Sequence, residues 1–376
     1  MAATVRVGIA GTSWWADSMY LPALADHPQA DVRAVAGTRP SHTREFAARW
    51  RIPSAYDSVE TMLDAEPLDA LIVATPNRSH FPIARAALER GLHVLCEKPV
   101  GMSSVEARQL ADLAAAKGVT TMVPFTYRNM PAMRYLKELV DEGYIGQPYH
   151  LNMRYYAGYG RGGEYAWRFD LDVAGAALAG DLGSHLVYLA RWYFGEVESV
   201  TAEFGYAVPR ASRPDGTDYP RGEDSAIILL RFVNGATGAL HVSSVAHEPS
   251  SFNQLQSLEL HGSEGTLHHA NDWNAVQGVA GARAGEASVR DLPIPDRHWG
   301  GAPHDDAHET YKHVFRHQDA QARAFVSAIS RGEPVSPDLA DGLAVQRIVD
   351  AAGISAREGR RVAIAEIIAA EEAASS

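Results

Sequence analysis

Val5-Arg6-Val7-Gly8-Ile9-Ala10-Gly11-Thr12-Ser13-Trp14-Trp15-Ala16 is the stretch on which the fold class turns. Val5 to Ala10 is apolar but for Arg6, and the small residues after it open a helical stretch that reaches Leu24. A strand with almost no polar residues suits a parallel sheet covered on both faces, because neither face meets water. The same alternation recurs downstream. Residues 32–36 read as a strand and 41–50 as a helix, Ser58 stands where it can cap a short helix, and Ala70-Leu71-Ile72-Val73-Ala74 is a second unbroken apolar run. Residues 81–90 repeat apolar positions at helical spacing and stop at Gly91, and residues 93–96 are strand-like again. Ser103 with Glu106 forms a capping box for a helix that ends near Gly118. Strand and helix in turn, joined by short loops, predict an α/β protein that opens on a doubly wound parallel sheet.

The pattern changes near residue 123. A helix over 130–142, closed by Gly143, precedes strands at 226–232 and 236–245, with Asn234-Gly235 between them as a tight hairpin turn. Strands that follow one another without helices imply a large, open, mostly antiparallel sheet in an α+β domain. The expected division is therefore 1–123 and 124–376, with one more long amphipathic helix over about 338–358. Glycine- and proline-containing patches at 210–222 and 278–303 read as surface loops, the second a possible lid.

The 376 residues exceed what one hydrophobic core usually supports, which agrees with two domains. A net charge of −12 gives no electrostatic footprint for nucleic acid. Cys96 is the single cysteine, so an intrachain disulfide is excluded and a reducing compartment is suited. Met1-Ala2-Ala3-Thr4 leads into a strand without a charged-then-apolar signal segment, and no apolar run is read as reaching the ~20 residues of a membrane span. The expectation is a cytoplasmic protein with neither membrane nor nucleic acid as partner.

Chemistry gathers where the parallel strands end. Gly11, Ser13 and Ala16 occupy the positions of the Rossmann phosphate-binding pattern, with serine in place of the second glycine. A serine hydroxyl can itself bond a phosphate oxygen, and the N-terminus of the helix favours an anion. After the second strand comes Gly37-Thr38-Arg39, with no carboxylate to meet a ribose 2′-hydroxyl or repel a 2′-phosphate. With Arg39 and Arg44 nearby, NADP fits better than NAD. Thr75-Pro76-Asn77-Arg78-Ser79-His80 and Glu97-Lys98-Pro99 follow two further strands. Far downstream, Gly180-Asp181-Leu182-Gly183-Ser184-His185 opens a helix and sets Asp181 and His185 on one face.

Together these segments resemble the glucose-fructose oxidoreductase / inositol dehydrogenase / rhizopine catabolism (Gfo/Idh/MocA) family. Glu97-Lys98-Pro99 followed by Asp-x-Gly-x-His is far more specific than the glycine turn. Tyr127-Arg128, Trp167-Arg168, Glu223-Asp224, Leu258 to Gly265 and Asp341-Gly342 match as well. Gly175-Ala176-Ala177 departs from the usual triple glycine, and Tyr188 stands where many members carry aspartate. The resemblance implies hydride transfer between a nicotinamide and a carbon bearing a hydroxyl, in a sugar or polyol. Lys98, Asp181 and His185 are then the catalytic candidates. His185 takes the alcohol proton, Asp181 orients it or the substrate, and Lys98 stabilises the developing alkoxide. The dinucleotide is expected at Gly11, Thr12, Ser13, Trp14, Trp15, Thr38, Arg39, Thr75, Asn77, His80, Glu97 and Lys98, with Arg128, Trp167 and Arg168 closing over it. The substrate is expected at Lys98, Tyr127, Arg154, Tyr156, Trp167, Asp181 and His185, with Tyr188 a further aromatic candidate. A homodimer or homotetramer is implied, formed through the open sheet.

Three other readings compete. His304-x-x-x-His308 and His313-x-x-x-His317 have a spacing that puts two imidazoles on one helix face, but no glutamate or cysteine completes a zinc set, so no metal is expected. Some relatives oxidise a sugar transiently, eliminate a glycosidic bond and return the hydride. The scaffold also serves as a non-catalytic sensor, for which a proton-transfer set has no use.

Overall fold

The apolar runs assemble as expected. The computed structural model describes residues 3–248, 252–271, 273–274 and 277–374; Met1 and Ala2 of the N-terminal reading lie outside them. Strands β1 (Val5–Ala10), β2 (Ala30–Ala36), β3 (Ser54–Tyr56), β4 (Ala70–Val73), β5 (His93–Cys96) and β6 (Thr121–Met122) form one parallel sheet. Their order is β3-β2-β1-β4-β5-β6, the doubly wound arrangement. β4 is buried throughout, which is why its sequence carries no polar alternation. The caps sit where expected. Ser58 Oγ accepts from Thr61 N at 3.1 Å, Ser103 Oγ from Glu106 N at 3.4 Å, and Gly118 closes its helix at φ +63°.

By its contacts the chain divides into residues 1–124 with 312–344, and 125–311 with 345–376. The returning segment is integral to the first unit. Phe325 and Val326 are fully buried in one cluster with Val7, Ile9, Tyr20 and Leu95. Arg323 Nη1 donates to Ala23 O at 2.7 Å, and Arg316 Nη2 donates to Ser18 O at 2.7 Å.

The second unit is built on a nine-stranded sheet. Its members are β7 (Pro148–Ala157), β8 (Val197–Gly205), β9 (Ser225–Phe232), β10 (Thr237–Ser243), β11 (Gln254–Gly262), β12 (Gly265–Asn271), β13 (Gly278–Arg283), β14 (Arg290–Leu292) and β15 (Val362–Ala363). The order is β14-β13-β12-β11-β7-β10-β9-β8-β15; β7 and β10 pair in parallel and the other pairs are antiparallel. Asn234-Gly235 makes the β9–β10 hairpin, with Gly235 at φ +89°. One face, carrying Leu151, Met153, Tyr155, Ile228 and Leu240, is buried. On the other face Ile227 and Leu229 are 45% and 49% exposed.

Three readings need correction. Residues 278–303 are not one loop. They hold β13, β14 and the short helix Asp296–Trp299, and Gly281 is small because a Cβ there would lie 2.8 Å from Thr266 O. Residues 210–222 form a strap held by buried charge. Arg210 pairs with Asp224, both almost without exposure, while its guanidinium lies 3.4 Å over the Phe169 ring. Arg213 bonds Asp170 at 2.7 Å and Asp172 at 2.5 Å. Finally, Leu171–Phe194 is apolar and long enough by composition to cross a membrane, with 78% of its most apolar window buried inside the fold.

Candidate active site

In the first unit the parallel strands deliver their carboxyl ends, and the loops after them, to one edge of the sheet. Gly11 leaves β1 at φ +103°, and a Cβ there would lie 2.4 Å from Ala74 O at the end of β4, so this turn admits only glycine. Ser13, at the usual second glycine, caps the helix that follows: its Oγ accepts from Ala16 N at 3.2 Å, which leaves the hydroxyl proton to donate elsewhere. Trp14 beside it is 64% exposed, and its ring centroid lies 5.8 Å from that of Trp15. Thr12 lies beside Gly37, where a Cβ would be 3.3 Å from Thr12 Cγ2. Thr38 and the exposed Arg39 therefore belong to the neighbouring turn, where Arg39 O accepts from both Thr43 N and Thr43 Oγ1 at 2.9 Å. A helix N-terminus, a glycine turn without side chain and an arginine at the exit of β2 fit a dinucleotide.

Beyond β4, Thr75 and the buried Asn77 lead into the short turn Asn77–Ser79, in which Ser79 Oγ donates to Thr75 Oγ1 at 2.8 Å. His80 was expected on the cofactor, and its ring is occupied otherwise. Nδ1 lies 2.7 Å from Pro99 O and Nε2 2.7 Å from Thr75 O, with 1% of the residue exposed. Burial lowers this imidazole's pKa, and its bonds to Pro99 O and Thr75 O offset only part of that shift. His80 thus ties the exit of β4 to the Lys98-Pro99 turn after β5. Glu97 is held in the same unit, its carboxylate accepting from the Tyr20 hydroxyl and from Lys98 N.

In the second unit the helix carrying Asp181 and His185 starts as a π-turn, Ala179–Gly183, and continues as Ser184–Phe194. Its apolar positions Leu182, Leu186, Leu189 and Tyr193 are buried, as their spacing requires. Asp181 is not an N-terminal cap. Its Oδ2 accepts from the Tyr159 hydroxyl at 2.8 Å and meets Arg168 Nε at 3.2 Å, while the Arg168 guanidinium lies 4.7 Å over Trp167. His185, 8% exposed, stands edge-on to Tyr127 at 5.0 Å and Phe125 at 6.4 Å. The Tyr127 hydroxyl lies 2.6 Å from that of Tyr155, which donates to Gln254 Oε1 at 3.0 Å. Burial pushes the Tyr127 phenol up to about 12, so it is a neutral hydrogen-bonding group across the working pH range.

The structure thus groups Tyr127, Trp167, Arg168, Asp181 and His185 within the second unit. It does not bring Arg154 and Tyr156 among them, a correction that follows from strand period. Tyr155 faces the helix, so its neighbours on β7 lie on the opposite face, where Arg154 Nε donates to Ser257 Oγ at 2.9 Å and the Tyr156 hydroxyl lies 2.7 Å from His241 Nδ1. Arg128 Nη1 donates to the Tyr188 hydroxyl at 2.6 Å and lies 5.0 Å over the Trp192 ring, while Tyr188 stacks on Phe125 at 4.5 Å. Sequence reasoning missed Tyr159, Tyr155 and Gln254, because no spacing rule links a strand end to a helix so far along the chain. His304 and His308 do not share a helix face: the helix begins at Ala307, and the two rings stack on Trp299 and Phe252 respectively. Among the described residues no cluster of three or more His, Cys, Asp or Glu could hold a metal ion.

Comparison with known proteins adds three findings. Residues 5–125 match the family described as "Oxidoreductase family, NAD-binding Rossmann fold", and residues 133–268 match the "GFO/IDH/MocA C-terminal domain". Levoglucosan dehydrogenase of Pseudarthrobacter phenanthrenivorans is 29% identical over 90% of this chain and 90% of its own length, and D-xylose 1-dehydrogenase (NADP(+)) 2 of Haloferax volcanii is 29% identical over 94% and 98%. A solved structure of levoglucosan dehydrogenase in complex with NADH and levoglucosan superposes with a TM-score of 0.85 at 27% identity, covering 96% of this chain and 99% of that one.

Proposed function

Because the chain belongs to the GFO/IDH/MocA family and is a nicotinamide-dependent sugar dehydrogenase, we propose that it oxidises a secondary hydroxyl of an unphosphorylated sugar with His185 as base. The observation that carries this reading is the Asp181–His185 pair on one buried helix, its carboxylate held by Tyr159 and Arg168 and its imidazole among aromatic rings. The nicotinamide supplies a hydride acceptor. His185 removes the hydroxyl proton, since imidazole titrates nearest neutral pH. Lys98 places an ammonium against the oxygen on which negative charge develops, a contribution of about 3 kcal/mol by analogy with an oxyanion donor. Asp181 bonds a sugar hydroxyl one helical turn from the proton-accepting ring. Tyr127 and Trp167 offer the flat faces on which a pyranose packs.

On the cofactor side, Gly11 to Trp15 hold the pyrophosphate at a helix N-terminus, and Thr75, Asn77 and Glu97 line the ribose–nicotinamide half. Thr38 and Arg39 meet the adenosine ribose, which favours NADP, since arginine pairs with a 2′-phosphate and no carboxylate stands at that turn. A second copy of the chain covers the open sheet face at Ile227 and Leu229, giving a homo-oligomer, and the one buried cysteine suits the cytoplasm. The test is absorbance of the reduced nicotinamide with NAD and with NADP across levoglucosan, D-apiose, D-xylose and methyl glucosides. Turnover of at least one sugar with net reduction supports the reading. Glycoside cleavage without net reduction overturns it in favour of elimination.

A further inference from the structure

Glu223 is a carboxylate 3% exposed in the interior of the second unit, and nothing in the chemistry above uses it. It sits beside Asp224, yet the two are treated differently. Asp224 is fully buried and answered by two guanidinium groups, Arg210 and Arg221, and by Val208 N at 2.8 Å. Among the described residues no cation pairs with Glu223. Its Oε1 instead accepts from Ala179 N at 2.7 Å. This is an opening main-chain donor of the helical segment that carries Asp181 and His185, one that no residue of the helix itself can satisfy.

The approach is built into the sequence on both sides. Gly222 packs so closely on Ala177 that a Cβ at 222 would lie 2.2 Å from the Ala177 Cβ. Gly222 N donates to Phe169 O at 2.9 Å, and Asp224 N donates to Gly205 O at 2.8 Å, so the main chain on each side of Glu223 is fixed. The Arg210–Asp224 pair locks the strap against Phe169, two positions from Trp167 and one from Arg168. One rigid frame therefore holds the start of the helix and the loop that supplies the arginine partner of Asp181.

We propose that Glu223 is a positioning residue for hydride transfer: by accepting the Ala179 N–H at the opening of the helix, it sets the height along the helix axis at which Asp181 and His185 are presented. Its carboxylate reaches neither side chain and acts through the backbone between them. The inference rests on the reading that Asp181 and His185 perform the proton transfer. A helix start released from its acceptor shifts by a fraction of a turn, and a misplacement of about 1 Å costs on the order of 100-fold in rate.

The experiment compares Glu223→Ala, Glu223→Asp, Glu223→Gln and His185→Ala with the wild type. It measures kcat and KM on the best sugar of the panel above, and amide hydrogen exchange of residues 178–186. In Glu223→Ala kcat falls about 100-fold while dinucleotide KM stays within about threefold, and exchange in the segment quickens. Glu223→Asp, one methylene short of the helix, behaves in the same direction and replaces the alanine variant if that fails to fold. Glu223→Gln, which keeps a carbonyl acceptor, recovers kcat to within about fivefold and restores protection. Unchanged exchange in both Glu223→Ala and Glu223→Asp, or a glutamine variant as impaired as alanine, overturns the proposal. Retention of wild-type kcat by His185→Ala, with slowed turnover and fast exchange in Glu223→Ala, strikes the assignment of His185 and leaves that of Glu223 standing. The exchange measurement needs no turnover and decides the anchoring even if every sugar of the panel is refused.

Discussion

Replacing Glu223 by glutamine tests the electrostatics of its burial apart from its role in positioning. Burial is the largest influence on this carboxyl and pushes it up from 4.5 to about 7, against nearby backbone N–H groups, that of Ala179 first, which pull it down. A carboxyl whose folded pKa exceeds its unfolded pKa binds more protons in the folded state. Its contribution to stability is therefore complete below pH 4.5 and lost as pH rises through about 7. At about 1.36 kcal/mol per pH unit, the rise from 4.5 to about 7 amounts to about 3 kcal/mol of stability lost at alkaline pH. Glutamine does not ionise and escapes this loss. The difference between Glu223→Gln and wild type, from urea unfolding at matched pH, should shift in favour of the variant by roughly 2 to 3 kcal/mol between pH 5 and pH 8.5. Other carboxylates titrate in both proteins and cancel in that difference. A difference that stays flat to within about 0.5 kcal/mol would show that the carboxyl ionises in the fold as freely as in water.

Lys98→Ala and His185→Ala should each reduce kcat at least about 100-fold while NADP binding, read by fluorescence titration, persists; wild-type kcat in either removes the role given to that residue. Gly11→Ala forces a side chain onto Ala74 O at φ +103°, and is expected to abolish dinucleotide binding in a thermal-shift titration; retained binding would mean the turn tolerates a Cβ. Arg210→Met leaves Asp224 buried with one guanidinium fewer and should cost about 3 kcal/mol or more in urea unfolding; a near-neutral change would show that Arg221 alone suffices. Arg39→Asp should reverse the cofactor ranking toward NAD in kcat/KM, and an unchanged ratio would place the 2′-position elsewhere.

What could be read in advance follows from the range of the interactions. β4 and the helix caps at Ser58 and Ser103 are local events, decided by neighbours in sequence, and they stand where the pattern put them. Asp181 and His185 were found because one helical turn joins them. The assignment of Arg154 and Tyr156 ignored the two-residue period of β7, although the buried Leu151, Met153 and Tyr155 already marked the inward face. Glu223 stood out in the sequence only as part of the Glu223-Asp224 match, and Tyr159 not at all; the contact each makes with the helix arises from tertiary packing that no local pattern encodes. Composition misled at 210–222. Glycine and proline there signalled a loose loop, but the arginines between them find Asp170 and Asp224 in the fold and turn the segment into a brace.

The return of residues 312–344 to the first unit bears on how this protein is made. When residue 124 leaves the ribosome, the nucleotide-binding sheet still lacks Phe325 and Val326, and the apolar surface they cover on Ile9, Tyr20 and Leu95 waits for nearly the whole chain. A gene fragment ending after β6 would encode a sticky half-core, and a cofactor-binding fragment made for biosensing would need residues 312–344 grafted back through a short linker before it could be expected to stay in solution.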